Sequence, residues 1–262
     1  MRALLSIASG LWVLSTTAVY TLLVFPPILA AAAVSRGGAP FFFGRLWSRA
    51  LLKTHRVRVL STGGEQLFPD RSYVFISNHA SHLDSPAIAV SLPHALRFVG
   101  KRSLSRIPVF GWATRCIGII YIDRSDPDRA RHTLNAAAAS LTGGVSTLFY
   151  AEGTRTPDGR LQPFKKGGIM LALQTGLPIV PITVVGSRER MPKYALRIRP
   201  GTIHVIIGSP IETEGKGPEQ RDALLAAVRE TIQATLQRYH NAPGILPQPV
   251  SKASAEGTIT TF

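Results

Sequence analysis

The sequence predicts an α/β domain on a largely parallel β-sheet flanked by helices, behind a hydrophobic helical membrane anchor. Three observations carry that expectation. The N-terminus is apolar and free of charge. Short β-rich runs alternate with helical patterns from about residue 58 onward. The chain's 262 residues suffice for one sizeable core. The expected organisation is a membrane-embedded or interfacial segment over 1–57, an α/β domain over 58–241 and a loose tail over 242–262, where Pro, Ser, Thr and Gly dominate.

The anchor comes first. From Ala3 to Ser35 no residue is charged, and the 23 residues Ala3 to Phe25 would reach about 34 Å as a helix, enough for a hydrocarbon core. A basic and aromatic collar follows, with Arg36, Arg45, Arg49, Lys53, Arg56 and Arg58 interleaved with Phe41, Phe42, Phe43 and Trp47. Such a collar is what an anionic leaflet attracts. Three readings fit: a signal peptide cleaved near Ala30–Ala33, a single span, or a hairpin broken at Pro26-Pro27 that dips into one leaflet and returns through Phe41 to Leu52.

In the α/β domain, strand candidates are Tyr73–Ser77, Leu96–Val99, Ile117–Ile122, Thr147–Tyr150, Ile179–Val185, Leu196–Arg199 and Ile203–Ile207. Pro181 inside the fifth argues for an edge or a bulge. Asp126-Pro127 caps a helix from Asp128 to Leu141, and a short helix over Lys166 to Thr175 ends at Gly176. Pro218 to Tyr239 is amphipathic, with Leu224, Leu225, Val228, Ile232 and Leu236 on one face.

Composition narrows the function. Thirty basic residues against 15 acidic ones give a net charge of +15, which favours a polyanionic partner. One cysteine, Cys116, excludes an intramolecular disulfide and a multi-cysteine zinc site, and its apolar surroundings make it a core residue. Zinc-finger spacing, an RNP motif and a basic helix with heptads are all missing, so no nucleic-acid partner is expected. GxGxxG and P-loop patterns are missing too.

Four constellations can carry chemistry. Asn78-His79-Ala80-Ser81-His82-Leu83-Asp84 follows an apolar strand, where an α/β sheet places its sites. Asp84 can fix one imidazole nitrogen of His79 and leave the other as a general base. His82 is a rival base, and His79, His82 and Asp84 are also a possible metal set short of ligands. Glu152-Gly153-Thr154-Arg155 ends another strand and offers close backbone approach, a hydroxyl and a guanidinium fork, with Lys165-Lys166 beyond it. Lys101, Arg102 and Arg106, with Ile122-Asp123-Arg124, bracket a strand. Val180-Pro181-Ile182 is a buried strand.

In this order the four resemble the glycerolipid acyltransferase family, which contains the 1-acyl-glycerol-3-phosphate acyltransferases. The family's Asn-His with an Asp five residues on matches Asn78-His79 and Asp84. Its second motif resembles Lys101, Pro108 to Gly111 and Gly118 to Arg124; its third is Glu152 to Arg155 with Phe164-Lys165-Lys166-Gly167; its fourth is Val180-Pro181-Ile182. Ala151 stands where the family often has Pro, and Ser103 where an acidic residue is common.

The resemblance implies a glycerol-3-phosphate acyltransferase-like fold and direct acyl transfer to lysophosphatidic acid from acyl-CoA or acyl-carrier protein. No metal or cofactor is expected. His79, oriented by Asp84, would be the base. Arg155 with Gly153, Thr154 and Arg124 would hold the acceptor's phosphate, Glu152 would orient Arg155, and Lys101 would meet an oxyanion or a phosphate. Cys116 is not expected to form an acyl-enzyme. Anionic membrane lipids would be partners, and the enzyme would sit on the cytoplasmic face of a membrane, in a bacterium the inner one. Another lysophospholipid or glycerol 3-phosphate is the alternative acceptor. A metal-dependent hydrolase and a silent membrane-binding module are the rivals outside the class.

Overall fold

The computed structural model describes residues 2–35, 38–123, 126–241 and 260–261. The apolar N-terminus forms α1 (Arg2–Val34), and α2 (Ala39–Thr54) folds back against it. Of the three N-terminal readings, the hairpin broken at Pro26-Pro27 is corrected: α1 runs through both prolines to Val34, and α2 starts at Ala39. Proline removes backbone hydrogen bonds from a helix, but side-chain contacts hold α1 on both sides of the site. Thr16 Oγ1 meets His55 Nε2 at 3.0 Å, Tyr20 and Thr54 share a hydroxyl bond of 2.6 Å, and Trp47 Nε1 donates to Thr21 Oγ1 at 3.2 Å. Just before the prolines Phe25 stacks on Trp112, and beyond them Ile28 is buried.

The sheet contains β1 (Val57–Thr62), β2 (Val74–Ser77), β3 (Ala95–Lys101), β4 (Ile120–Ile122), β5 (Val145–Tyr150), β6 (Ile179–Val185), β7 (Gly201–Ile207) and the two-residue β8 (Thr260–Thr261). Their order is β4-β3-β5-β2-β6-β7-β1-β8. All neighbours are parallel except β6 with β7 and β1 with β8. Of the expected tail, Thr260 and Thr261 pair along β1, and residues 242–259 lie outside the described residues.

Two cores sandwich the sheet. Tyr73 and Phe75 of β2 point to one face, where they join residues of α2 and of α3 (Asp84–Ser91). Val74 and Ile76 point to the other, toward α5 (Pro127–Ala138), α6 (Gly167–Thr175) and α8 (Arg221–Asn241). The alternation follows from the two-residue period of a strand. Burying an aromatic or branched side chain of this kind contributes roughly 1.5–3 kcal/mol. α8 turns Leu224, Val228 and Ile232 inward, on the face its periodicity predicts. Asp126 caps α5, its carboxylate accepting from Arg129 N at 3.0 Å.

Several expectations are corrected. β1 was not among the candidate strands. Ile117 ends a helix, α4 (Phe110–Ile117), so the strand there shortens to β4, and Cys116 is half-buried in α4 rather than in the core. Residues 196–199 form no strand; they run over the surface with Leu196 exposed. β6 is central and fully buried, not an edge. Pro181 fits because its carbonyl accepts from Gly208 N at 2.8 Å. In a strand the N–H and C=O of one residue point the same way, so the missing donor faces the place where β7 has ended. The short helix α7 (Ser187–Arg190) follows β6.

Candidate active site

Five parallel strands, β4, β3, β5, β2 and β6, end at one edge of the sheet, and the motif residues gather there. Asn78, just past β2, fastens that strand's end to β6: its Nδ2 donates to Val184 O at 2.9 Å and its Oδ1 accepts from Val184 N at 2.8 Å. The next residue, His79, is thereby held at the top of a rigid strand.

His79 Nδ1 lies 2.8 Å from Asp84 Oδ2. The same oxygen accepts from the backbone N–H of Ala80 and of Ser81, each at 2.8 Å. Asp84 opens α3 and is fully buried, while the His79 side chain keeps 16% of its surface exposed. The carboxylate therefore orders the whole turn from His79 to Asp84 around one oxygen. A buried carboxylate is costly without partners, and this one gathers three on a single oxygen, which fixes the imidazole in place. His79 Nε2 makes no hydrogen bond with the described residues, which is the arrangement a general base requires. Tyr150 closes the other side, its ring 3.7 Å from the imidazole and within 11° of parallel. The Tyr150 hydroxyl is 2.7 Å from Ser85 Oγ. Burial, reinforced by the Asp84 charge, pushes that phenol well up and keeps it neutral.

Glu152 does not orient Arg155. Its Oε1 accepts from His79 N at 2.8 Å and its Oε2 from Gln162 N at 3.0 Å. It ties the His79 turn to the loop beyond the tetrad, and burial pushes its carboxyl up against the pull of those two bonds. Arg155 instead donates from Nη1 to Lys193 O at 2.7 Å. Burial lowers its pKa, with the Asp84 charge pulling the other way. Gly153 adopts φ +71°, a conformation glycine accepts readily, and Thr154 is exposed. His82 reaches solvent, yet crowding by the protein, then the charges of Arg155 and His79, push it down to about 4. It has no carboxylate partner among the described residues. Lys101 stands exposed at the end of β3, on the same edge but with no hydrogen bond or ion pair to His79 or Asp84. Arg124 lies outside the described residues. Among the described residues no three His, Cys, Asp or Glu side chains gather as a metal set.

Below the tetrad, on the α5 and α6 face, an apolar cavity of about 960 Å³ opens. Ile76, Val99, Leu134, Phe149 and Leu171 form its walls, and Gly153, Thr154 and Lys165 stand at its polar end.

A sequence model described as Acyltransferase matches residues 58–185. A 1-acyl-sn-glycerol-3-phosphate acyltransferase of Pseudomonas aeruginosa is 31% identical over 89% of this chain and 100% of its own length. The chain belongs to the 1-acyl-sn-glycerol-3-phosphate acyltransferase family. The crystal structure of the family member from Thermotoga maritima superposes with a TM-score of 0.78 at 25% identity, covering 92% of this chain and 99% of that one. Chloroplast members from Brassica napus and Arabidopsis thaliana are 40% and 35% identical over 54% and 65% of this chain. The chain spans only 41% and 48%, about half, of their length.

Two residues beside the His79–Asp84 pair escape sequence reasoning. Tyr150 reads only as the last residue of a strand, and Ser85 falls in no motif or expected element. The register that sets Ser77 beside Tyr150 brings the phenol to the imidazole, and nothing in local spacing signals it.

Proposed function

We propose that the chain transfers an acyl group from a thioester donor to the sn-2 hydroxyl of 1-acyl-sn-glycerol-3-phosphate, forming phosphatidate. The observation that carries the reading is the 2.8 Å contact between His79 Nδ1 and the buried Asp84 carboxylate, which leaves Nε2 as the base. Nε2 takes the proton of the acceptor hydroxyl as that oxygen attacks the thioester carbonyl. The C–S bond then breaks, and the imidazolium returns the proton to the leaving thiolate. Arg155, with Gly153, Thr154 and Arg124, holds the acceptor's phosphate. Lys101 at the same sheet edge stabilises the oxyanion or a phosphate. The apolar cavity takes an acyl chain. A thioester is already activated, so the reaction calls for no metal and no cofactor.

The anchor supports a membrane setting. α1 carries an apolar stretch, Ile7–Val34, of mean hydropathy 1.9, with only 17% of the sampled window buried in the protein. A Cβ on Gly10 would lie 3.6 Å from Leu196, and Phe25 stacks on Trp112, so α1 follows the catalytic domain over about 22 Å. A helix held along a water-soluble domain for that distance lies in one leaflet rather than crossing both. The net charge of +15 draws the protein to anionic lipids on the cytoplasmic face and concentrates an anionic acceptor and donor.

The test is phosphatidate formation by detergent-solubilised protein given 1-acyl-sn-glycerol-3-phosphate and an acyl thioester in the presence of chelator. His79→Ala should lower the rate by at least about 10²-fold. Full activity in that variant, or dependence on a metal, overturns the reading. Turnover only with a lysophospholipid that bears a head group moves the acceptor and keeps the chemistry.

A further inference from the structure

Away from His79, at the outer edge of the sheet, three short elements turn basic side chains into one concavity. Arg102 and Ser105 stand three apart in the 3₁₀ turn Arg102–Arg106 after β3, where such positions eclipse. Arg115 comes from the last turn of α4. Arg129 and His132 share one face of α5, at the i, i+3 spacing of a helix. With Tyr121 of β4 and Asp123 they line a pocket of about 410 Å³.

The pocket's charge is held in place. Arg102 lies 3.6 Å from Asp123, and Arg129 Nε 2.9 Å from Asp126, the residue that caps α5. Arg115 has no carboxylate partner among the described residues; its guanidinium meets only the Ser105 carbonyl, at 3.4 Å. With Arg102 matched by Asp123 and Arg129 by Asp126, Arg115 carries the excess positive charge of the pocket, and guanidinium forks match phosphate oxygens.

It lies apart from Arg155, the described arginine assigned to the acceptor's phosphate, which bonds Lys193 O beyond β6. The strand order puts the pocket next to β4, three strand spacings or about 14 Å from β2. Both stand on the edge where the parallel strands end. Asp123 lines this pocket and the apolar cavity alike, so the two adjoin.

We propose that this pocket binds the phosphates of the nucleotide end of acyl-CoA, which makes acyl-CoA the donor. The inference rests on the acyl-transfer reading. A nucleotide bearing several phosphates fills a concavity of this volume, with Tyr121 and His132 offering rings beside the guanidiniums. The pantetheine arm then spans from the pocket toward His79.

The test uses the full chain in detergent, with Arg115→Ala and Arg129→Ala as separate variants. The KM for acyl-CoA should rise about tenfold in each, and the KM for the acceptor should not. Adenosine 3′,5′-bisphosphate should compete with acyl-CoA and bind the unmodified chain by calorimetry. Each variant should bind it about tenfold more weakly. With S-acyl pantetheine, which lacks the nucleotide, the penalty of the variants should disappear. A rise in the acceptor's KM instead assigns the pocket to the acceptor and overturns the proposal. An equal penalty with S-acyl pantetheine shows that the arginines act through the fold, and also overturns it. Exclusive use of acyl-carrier protein, or no binding of the bisphosphate, overturns it while acyl transfer stands. Loss of S-acyl pantetheine turnover in His79→Ala checks acyl transfer by itself.

Discussion

The imidazole of His79 lies flat against the phenol of Tyr150, with ring centroids 3.7 Å apart. Asp84 grips one edge of the imidazole and Tyr150 covers one face, so the base has a single orientation available. Tyr150 is itself held through Ser85, the residue after Asp84. Base, carboxylate and covering ring thus form one closed set that spans β2, α3 and β5.

Tyr150→Phe keeps the covering ring and loses only the Ser85 bond, so it should retain most of the turnover and cost roughly 1 kcal/mol of stability. Tyr150→Leu removes the flat surface and should lower kcat by at least about tenfold with little change in KM. Steady-state kinetics beside a thermal unfolding scan separates the two. Equal kcat in the Leu variant would remove Tyr150 from any role in placing His79.

Asp84→Asn keeps the shape of the side chain. An amide oxygen at the Oδ2 position can still accept from Ala80 N, Ser81 N and His79 Nδ1, since one oxygen takes all three bonds. What the amide lacks is the negative charge that offsets the proton taken up by Nε2, and its N–H₂ is left buried at the partnerless Oδ1 position. We expect a fall in kcat of about 10²-fold or more in a protein whose circular dichroism is unaltered.

Glu152→Gln tests the tie between the two loops. A carboxylate accepts from both His79 N and Gln162 N, whereas an amide must point donors at one of them. The expected cost is about 1–3 kcal/mol, read as a lower denaturation midpoint, with activity falling as the His79 turn loosens.

His82 gives the pH dependence. Its folded value, about 4, lies below the ordinary 6.5, so the folded state prefers the neutral ring. The unfolded chain binds the extra proton first as pH drops. The contribution is therefore complete above pH 6.5 and is lost as pH falls from there toward 4. Denaturation midpoints at about pH 7.5 and about pH 5 should differ less in His82→Gln than in the parent chain. An identical difference would assign the acid sensitivity to another group.

Leu134→Trp narrows the apolar cavity from the α5 side. The variant should shift preference toward shorter acyl thioesters, measured by competition between donors of different length. An unchanged length profile would place the acyl chain elsewhere.

Much of this site was legible before any coordinates. His79 and Asp84 sit five positions apart on either side of one tight turn, so their contact is local and their spacing announces it. The buried run of β6, the capped start of α5 and the inward face of α8 are local too, because each is written in the period or the end signals of one segment. The apolar, charge-free N-terminus declared an anchor for the same reason.

What spacing could not report is which segment meets which. Glu152 and His79 are 73 positions apart, and their bond exists because β5 pairs with β2 in one register. The same pairing lays Tyr150 on His79 and takes Glu152 away from its sequence neighbour Arg155. Pro181 reads as an edge residue until β7 is seen to end beside it, and Pro26-Pro27 reads as a break until α2 is seen to hold α1 together. By itself the sequence determined the His79–Asp84 pair, the layered α/β class and the apolar N-terminal helix, since these follow from residue types and short-range periodicity. Tertiary structure alone decided the partners of Glu152 and Arg155, the ring over His79 and the two adjoining cavities, since these depend on strand order and register.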